Sequence, residues 1–416
     1  MNEILPFIIF SVFIVLISCA AITSNKNIFA EPVLNDSNLK IELVAQGLNS
    51  PTSMAFLDSN NILVLEKNSG NVRLLSNGVL EKQPVLKLNV DHTTLTCCRG
   101  LLGIAITRNN SDSKSVFLYY SELIDGKDSV RNRLYRYTWN GKSLINPVLL
   151  LDLPAAPGPN HPGGKIAIGL DKYLYTVIGD LNNRGKLQNI KGGPDPDDSS
   201  VILKINATDG TAAKRNPFLG LSPKMSKYYG YGIRNSFGLA IDPVTGSLWD
   251  TENGDKDFDE INLVKPGFNS GWEQLMGPIS KNKKNENDLV IFPGSHYSDP
   301  AFSFGPSIGI TDIEFFNSSK LGDKYSNNVF VGDITHGNLY FFTLNTNRTG
   351  FSFNEKIEQS FLDSVSNGEK ELSELTFGTG FGGITDIKTG SDGFLYVLTF
   401  DQANHGKGKI YRISHL

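Results

Sequence analysis

Apolar positions are distributed in two quite different ways along this chain. From Ile4 to Ile22 they form an almost unbroken run, close to the roughly 20 residues that cross a bilayer's hydrocarbon. That run predicts a leader over residues 1–24 that is no part of the fold. Leu16-Ile17-Ser18-Cys19 resembles a lipobox, so cleaved signal, lipid anchor and retained anchor helix all stay open. Each of them exports the remainder of the chain, either secreted or held at the extracellular face of the membrane, with membrane contact only through this segment.

Downstream the apolar positions alternate in short runs, the period of a strand with one buried face. A turn followed by such a run returns six times: NNILVLE from Asn60, SKSVFLYYS from Ser113, DKYLYTVIG from Asp171, TGSLWDTEN from Thr245, SNNVFVGD from Ser326 and SDGFLYVLT from Ser391. Each is followed by a second strand-like run, from GNVRLLS after the first to GKIYRIS after the last. Helical periodicity is hard to find. A single small sheet cannot bury both of its faces, so repeats of this kind stack in a ring. The expectation is one all-β domain over residues 35–416, a six-bladed β-propeller of four-stranded antiparallel blades. LKIELVAQGL around Ile41 would pair with the last blade to close it. An unclosed sandwich or two smaller barrels would leave the six beats unexplained.

Composition agrees with this. Forty-one Gly and 39% hydrophobic residues in 416 describe a turn-rich folded body. A net charge of −4 provides no field for phosphates, and nucleic acid is excluded as a partner. Sequons begin at Asn35, Asn109, Asn206, Asn317 and Asn347, as suits an exported surface. Cys97 and Cys98 are adjacent; two buried thiols and a vicinal disulfide are both open readings.

Candidate chemistry gathers in four stretches. Asn160-His161-Pro162-Gly163-Gly164-Lys165 precedes a strand ending at Gly179-Asp180. Tyr229-Gly230-Tyr231-Gly232-Ile233 leads into Arg234-Asn235. Thr251-Glu252-Asn253-Gly254-Asp255 is followed by Asp259-Glu260-Ile261-Asn262-Leu263 and Gly267-Phe268-Asn269-Ser270-Gly271-Trp272. Cys98-Arg99-Gly100-Leu101-Leu102-Gly103 completes the set. An imidazole titrates near neutrality and suits removal of an alcohol proton. A planar arginine fork suits a carboxylate-bearing ligand, and oxygen-rich loops suit Ca²⁺.

These stretches resemble the HNGGRL…IGD, GHRNPQGLAF, SEhGp…DEINL…GgNYGWP and GLLGiAf segments of the glucose/sorbosone dehydrogenase family, the soluble quinoprotein glucose and aldose sugar dehydrogenases. The resemblance implies oxidation of an aldose sugar or related alcohol with pyrroloquinoline quinone (PQQ) and Ca²⁺, electrons leaving for an unidentified acceptor. His161 is then the base and Asp180 its orienter. Asn160, Arg234, Asn235 and Cys98 face the cofactor. Gly254 and Asp255 hold the calcium against the quinone, while Asp259, Glu260 and the Ser270 carbonyl hold a structural one. A vicinal Cys97–Cys98 disulfide against the quinone would echo the methanol dehydrogenases.

Two departures stand out. The family's quinone-binding lysine falls at Thr335, followed by His336, and the arginines before its DV step have no counterpart in Phe381-Gly382-Gly383-Ile384-Thr385. His336 and Arg99 are the cations available to compensate. Without compensation the same propeller reads as a non-catalytic ligand- or protein-binding module, and its acidic loop leaves room for a Ca²⁺-dependent lactonase.

Overall fold

The structure, a computed structural model, describes residues 31–91, 98–108, 114–124, 129–401 and 406–416. The leader, Cys97 and Asn109 lie outside them. Strands fall into six sheets, and the chain is an all-β propeller. The first strand of each sheet is short and apolar: Pro51–Phe56, Leu101–Arg108, Ile166–Ile168, Ser236–Ile241, Ile310–Phe315 and Gly383–Thr389. These strands touch in sequence, and the last touches the first. The ring closes around them.

The recurrent sequence runs are the second strands. Asn61–Glu66, Lys114–Ile124, Tyr173–Ile178, Leu248–Glu252, Val329–Asp333 and Leu395–Phe400 each pair antiparallel with the first strand of their sheet. They are the most buried strands because sheets pack on both of their faces; Leu248–Glu252 and Val329–Asp333 are buried at every position. That double burial erases strict alternation and leaves apolar runs bounded by turns. Full burial of such a Leu or Val contributes about 1.5–3 kcal/mol.

Closure occurs as the alternation around Ile41 predicts. Leu39–Asn49 pairs antiparallel with Lys407–His415, the third strand of the sixth sheet. The four-strand expectation holds for two sheets, and the others carry five or six strands. The additions come from long connections after the sheet core. Phe268–Asn269 and His296–Tyr297 add in parallel to the third sheet, and Val365–Ser366 adds in parallel to the fourth. The α-helix Glu369–Leu375, absent from the expected pattern, lies in one such connection and buries Leu372 and Leu375.

Candidate active site

The central cavity, of about 520 Å³, opens where first strands begin and second strands end, and every sheet contributes to it. Its wall includes Ser50 to Ser53, Cys98, Gly163, Asn253 and Thr385. Leu102, Phe237, Ile334 and Phe400 give it apolar surfaces, while Lys67 and Lys165 are its lysines. A volume of this size matches pockets for small molecules and cofactors.

His161 lies in the loop that delivers Gly163 and Lys165 to this cavity. Its backbone is left-handed (φ 58°) and its side chain is buried, a conformation that needs support from its surroundings. Gly179 supplies some of that support by its smallness. A Cβ there would meet the Arg234 carbonyl at 2.4 Å and the His161 carbonyl at 2.7 Å, so only glycine lets the two segments approach. Next to it, Asp180 places Oδ1 2.7 Å from His161 Nδ1. The same oxygen accepts the Asn182 N–H at 2.8 Å, and Oδ2 accepts the Trp272 indole N–H at 2.7 Å. With Nδ1–H donating to the carboxylate, Nε2 carries the lone pair, the form a base requires.

Arg234 stands beside this pair. Its backbone carbonyl accepts the Asp180 N–H at 2.9 Å, and its guanidinium lies 5.2 Å from the Trp272 ring centre. The guanidinium donates to the carbonyls of Asn253 at 3.0 Å and Gly254 at 2.7 Å, and to Asp255 Oδ1 at 3.3 Å. Its Nε and the Asn235 Oδ1 are buried without partners. Asn160 is half-buried next to His161.

Below the acidic loop, three carboxylates are fully buried side by side. Burial first, and then Glu260, push Asp250 up to about 8. Burial and its neighbours raise Glu260 to about 7 and hold Glu252 well above the carboxylate range. Both oxygens of Asp250 lack partners. Ser270 donates to Glu252 at 2.6 Å, and Gly277 N–H to Glu260 at 2.5 Å.

The residues expected at the site therefore separate. His161, Asp180, Asn160, Arg234 and Asn235 come together, and Cys98 lines the cavity. Arg99 instead pairs with Asp91 at 3.0 Å and with the Ala155 carbonyl, so it does not replace a missing cation. His336 lines a different cavity; from its loop it is Ile334 that lines the central one. Asp259 is occupied by the backbone N–H groups of Gly254, Ile308, Gly309 and Ile310 and by the Ser307 hydroxyl, which makes it a clamp for two loops. Trp272 and Lys165 lay in matched motifs, yet their roles were not legible there. No linear pattern shows an indole N–H reaching a carboxylate 92 residues away.

The implied groups can be tested against these residues. Leu102, Phe237, Ile334 and Phe400 are apolar surfaces of the kind a flat quinone packs against, and the orphaned Arg234 Nε and Asn235 Oδ1 mark polar groups that nothing in the protein satisfies. Lys67 and Lys165 are the lysines on the cavity wall, and Lys165 is already paired with Asp386 and Asp312. For calcium, the Gly254 carbonyl already accepts a guanidinium, which opposes a second cation there. Among the described residues no three His, Cys, Asp or Glu side chains form a ready cage. Asp250, Glu252, Glu260 and Ser270 nevertheless have the hard oxygens a calcium would take, and burial holds the three carboxyls protonated until a cation displaces their protons.

A closed ring of sheets carrying a buried His–Asp pair beside a mouth-side cavity defines a propeller with a pocket for a small molecule. The Glucose / Sorbosone dehydrogenase model matches residues 48–412, and the chain belongs to that family. It is 24% identical over 383 residues to the aldose sugar dehydrogenase YliI of Escherichia coli, covering 91% of this chain and 93% of that one. Similarity to quinoprotein glucose dehydrogenase B of Acinetobacter calcoaceticus is 28% over 264 residues, covering 58% of this chain and 53% of the other. The PQQ-bound aldose sugar dehydrogenase of Streptomyces coelicolor superposes with a TM-score of 0.64 at 23% identity, covering 91% and 99%, a likeness of fold.

Proposed function

We propose that this protein is an exported PQQ-dependent dehydrogenase of aldose sugars or related alcohols, its six sheets serving as six blades over residues 35–416. Family membership supports the sugar dehydrogenase role. The observation that carries the chemistry is the His161–Asp180 contact of 2.7 Å beside a cavity walled by every sheet.

His161 Nε2 takes the hydroxyl proton of the substrate, and Asp180 stabilises the imidazolium that results. Arg234 and Asn235 orient the cofactor, Lys67 faces its acidic groups, and the apolar wall of Leu102, Phe237 and Phe400 excludes water. Bound in the cavity, the quinone supplies the hydride acceptor. Glu260 and the Ser270 carbonyl, with Glu252 and Asp250, would hold a calcium. An acceptor outside the protein would take the electrons. Export rests on the apolar run from Ile4 to Ile22.

The neutral far wall favours a second reading. The fifth and sixth sheets present Thr311, Ile334, Thr385 and Phe400 to the central cavity, while Thr335, which falls at the family's lysine, lines the neighbouring one; each charged hydrogen bond lost removes about 1.5–3 kcal/mol. That reading is a ligand-binding propeller without redox chemistry. Aldose-dependent dye reduction by protein supplied with PQQ and Ca²⁺ supports the dehydrogenase. Lactone turnover without bound quinone would point to a hydrolase, and neither activity to the binding module.

A further inference from the structure

A second cavity, of about 580 Å³, lies beside the central one. Both open on the same face of the ring. Ile308 precedes a first strand, Thr335 and His336 follow a second strand, and Thr379 ends a fourth, all at the end where the central cavity opens. The partition between them is thin. Gly309, left-handed at φ 73°, leaves no room for a Cβ, which would lie 2.9 Å from Thr335 Oγ1 and 3.0 Å from Ile334 Cγ2. Thr335 lines the second cavity and Ile334 the central one.

Its lining has a definite chemistry. Six of its sixteen residues carry hydroxyls, one an imidazole and one a carboxylate, and none is Lys or Arg. An anionic ligand such as a nucleotide would meet no countercharge. Pro306 and Leu372 offer apolar patches among these polar groups. His336 is exposed, and its ring nitrogen lies 3.8 Å from Asp333 Oδ1, beyond hydrogen-bond range. A neutral polyhydroxylated chain suits such a wall: Thr335, Thr379 and His336 can exchange hydrogen bonds with it, Ser307, Ser373 and Thr376, which donate to Asp259, Lys370 and Leu372, can accept, and Pro306 offers a carbon face.

We infer that this cavity is a subsite for the further sugar units of an oligosaccharide whose reducing-end unit lies at the central cavity. It deepens the sugar dehydrogenase reading and rests on it. His161 acts on one ring while the next units pass over the Gly309–Thr335 partition toward His336. Substrate preference is then set by chain length as well as by the oxidised sugar.

Calorimetric titration of the full chain with maltotriose and with glucose tests this, since binding needs neither dye nor electron transfer. Maltotriose binds at least about tenfold more tightly than glucose, a difference of about 1.4 kcal/mol. Ser373→Trp, which fills the cavity from an exposed position, and His336→Ala each bring the ratio close to one. Equal affinities in the unaltered protein, or a ratio that neither substitution changes, would overturn the inference. Tight maltotriose binding without any aldose oxidation would count against the dehydrogenase reading alone and leave the subsite standing.

Discussion

Trp272 donates its indole N–H to Asp180 Oδ2 at 2.7 Å, while Asp180 Oδ1 lies 2.7 Å from His161 Nδ1. The same ring faces the Arg234 guanidinium at 5.2 Å. One side chain thereby fixes both Asp180 and Arg234, the residues proposed to orient the base and to face the cofactor. Trp272→Phe removes the hydrogen bond and keeps the ring. Loss of a hydrogen bond to a charged group costs about 1.5–3 kcal/mol, so kcat falls by about 10- to 100-fold with cofactor affinity largely kept. Trp272→Leu removes both contacts and weakens cofactor binding as well. Steady-state kinetics beside a cofactor titration separate the two variants, and equal losses in both would show a merely structural role.

The buried carboxylates set a pH and metal dependence. Asp250 and Glu260, raised to about 8 and 7, bind protons in the folded state that the unfolded chain releases near pH 4. Folded protein thus holds more protons across this window, and metal-free stability falls as pH rises from about 4 to about 8. A calcium bound there would relieve the repulsion. The expected result is a chelator-induced fall in Tm that is larger at pH 8 than at pH 6, and a metal-free Asp250→Asn variant more stable than its parent at pH 8. Thermal melts at both values, with and without chelator, check each point.

Across the channel, Lys165 Nζ lies 2.5 Å from Asp386 and 2.8 Å from Asp312, and Lys388 Nζ lies 2.9 Å from each of these carboxylates. These four side chains join the third, fifth and sixth sheets. Lys165→Met leaves two buried carboxylates sharing one cation, which costs about 3–5 kcal/mol. Adding Asp386→Asn restores part of that loss, because the uncompensated charge is removed. Denaturant midpoints of the single and double variants measure the coupling.

The propeller was legible because a strand packed on both faces must be apolar, and six such runs recurred from Asn61 to Phe400. Closure was legible in the alternation around Ile41. The helix Glu369–Leu375 was not, since its seven residues span only two turns and bury Leu372 and Leu375 alone. At the site, His161 and Asp180 could be paired from motifs because both sit where chain geometry is local to one sheet. His336 could not be placed, since the residue that reaches the central cavity is Ile334, and the turn after Val329–Asp333 carries His336 to the neighbouring one. Asp259 is acidic in sequence and reads as a metal ligand; only the fold shows four backbone N–H groups converging on it.

The most direct test is a titration of the purified protein and its His161→Ala variant with PQQ in the presence of Ca²⁺, followed by quinone absorbance and aldose-dependent dye reduction. Saturable binding in both proteins, with turnover falling by at least about 100-fold in the variant, is the predicted result. Absence of saturable binding, or undiminished turnover in His161→Ala, would contradict it.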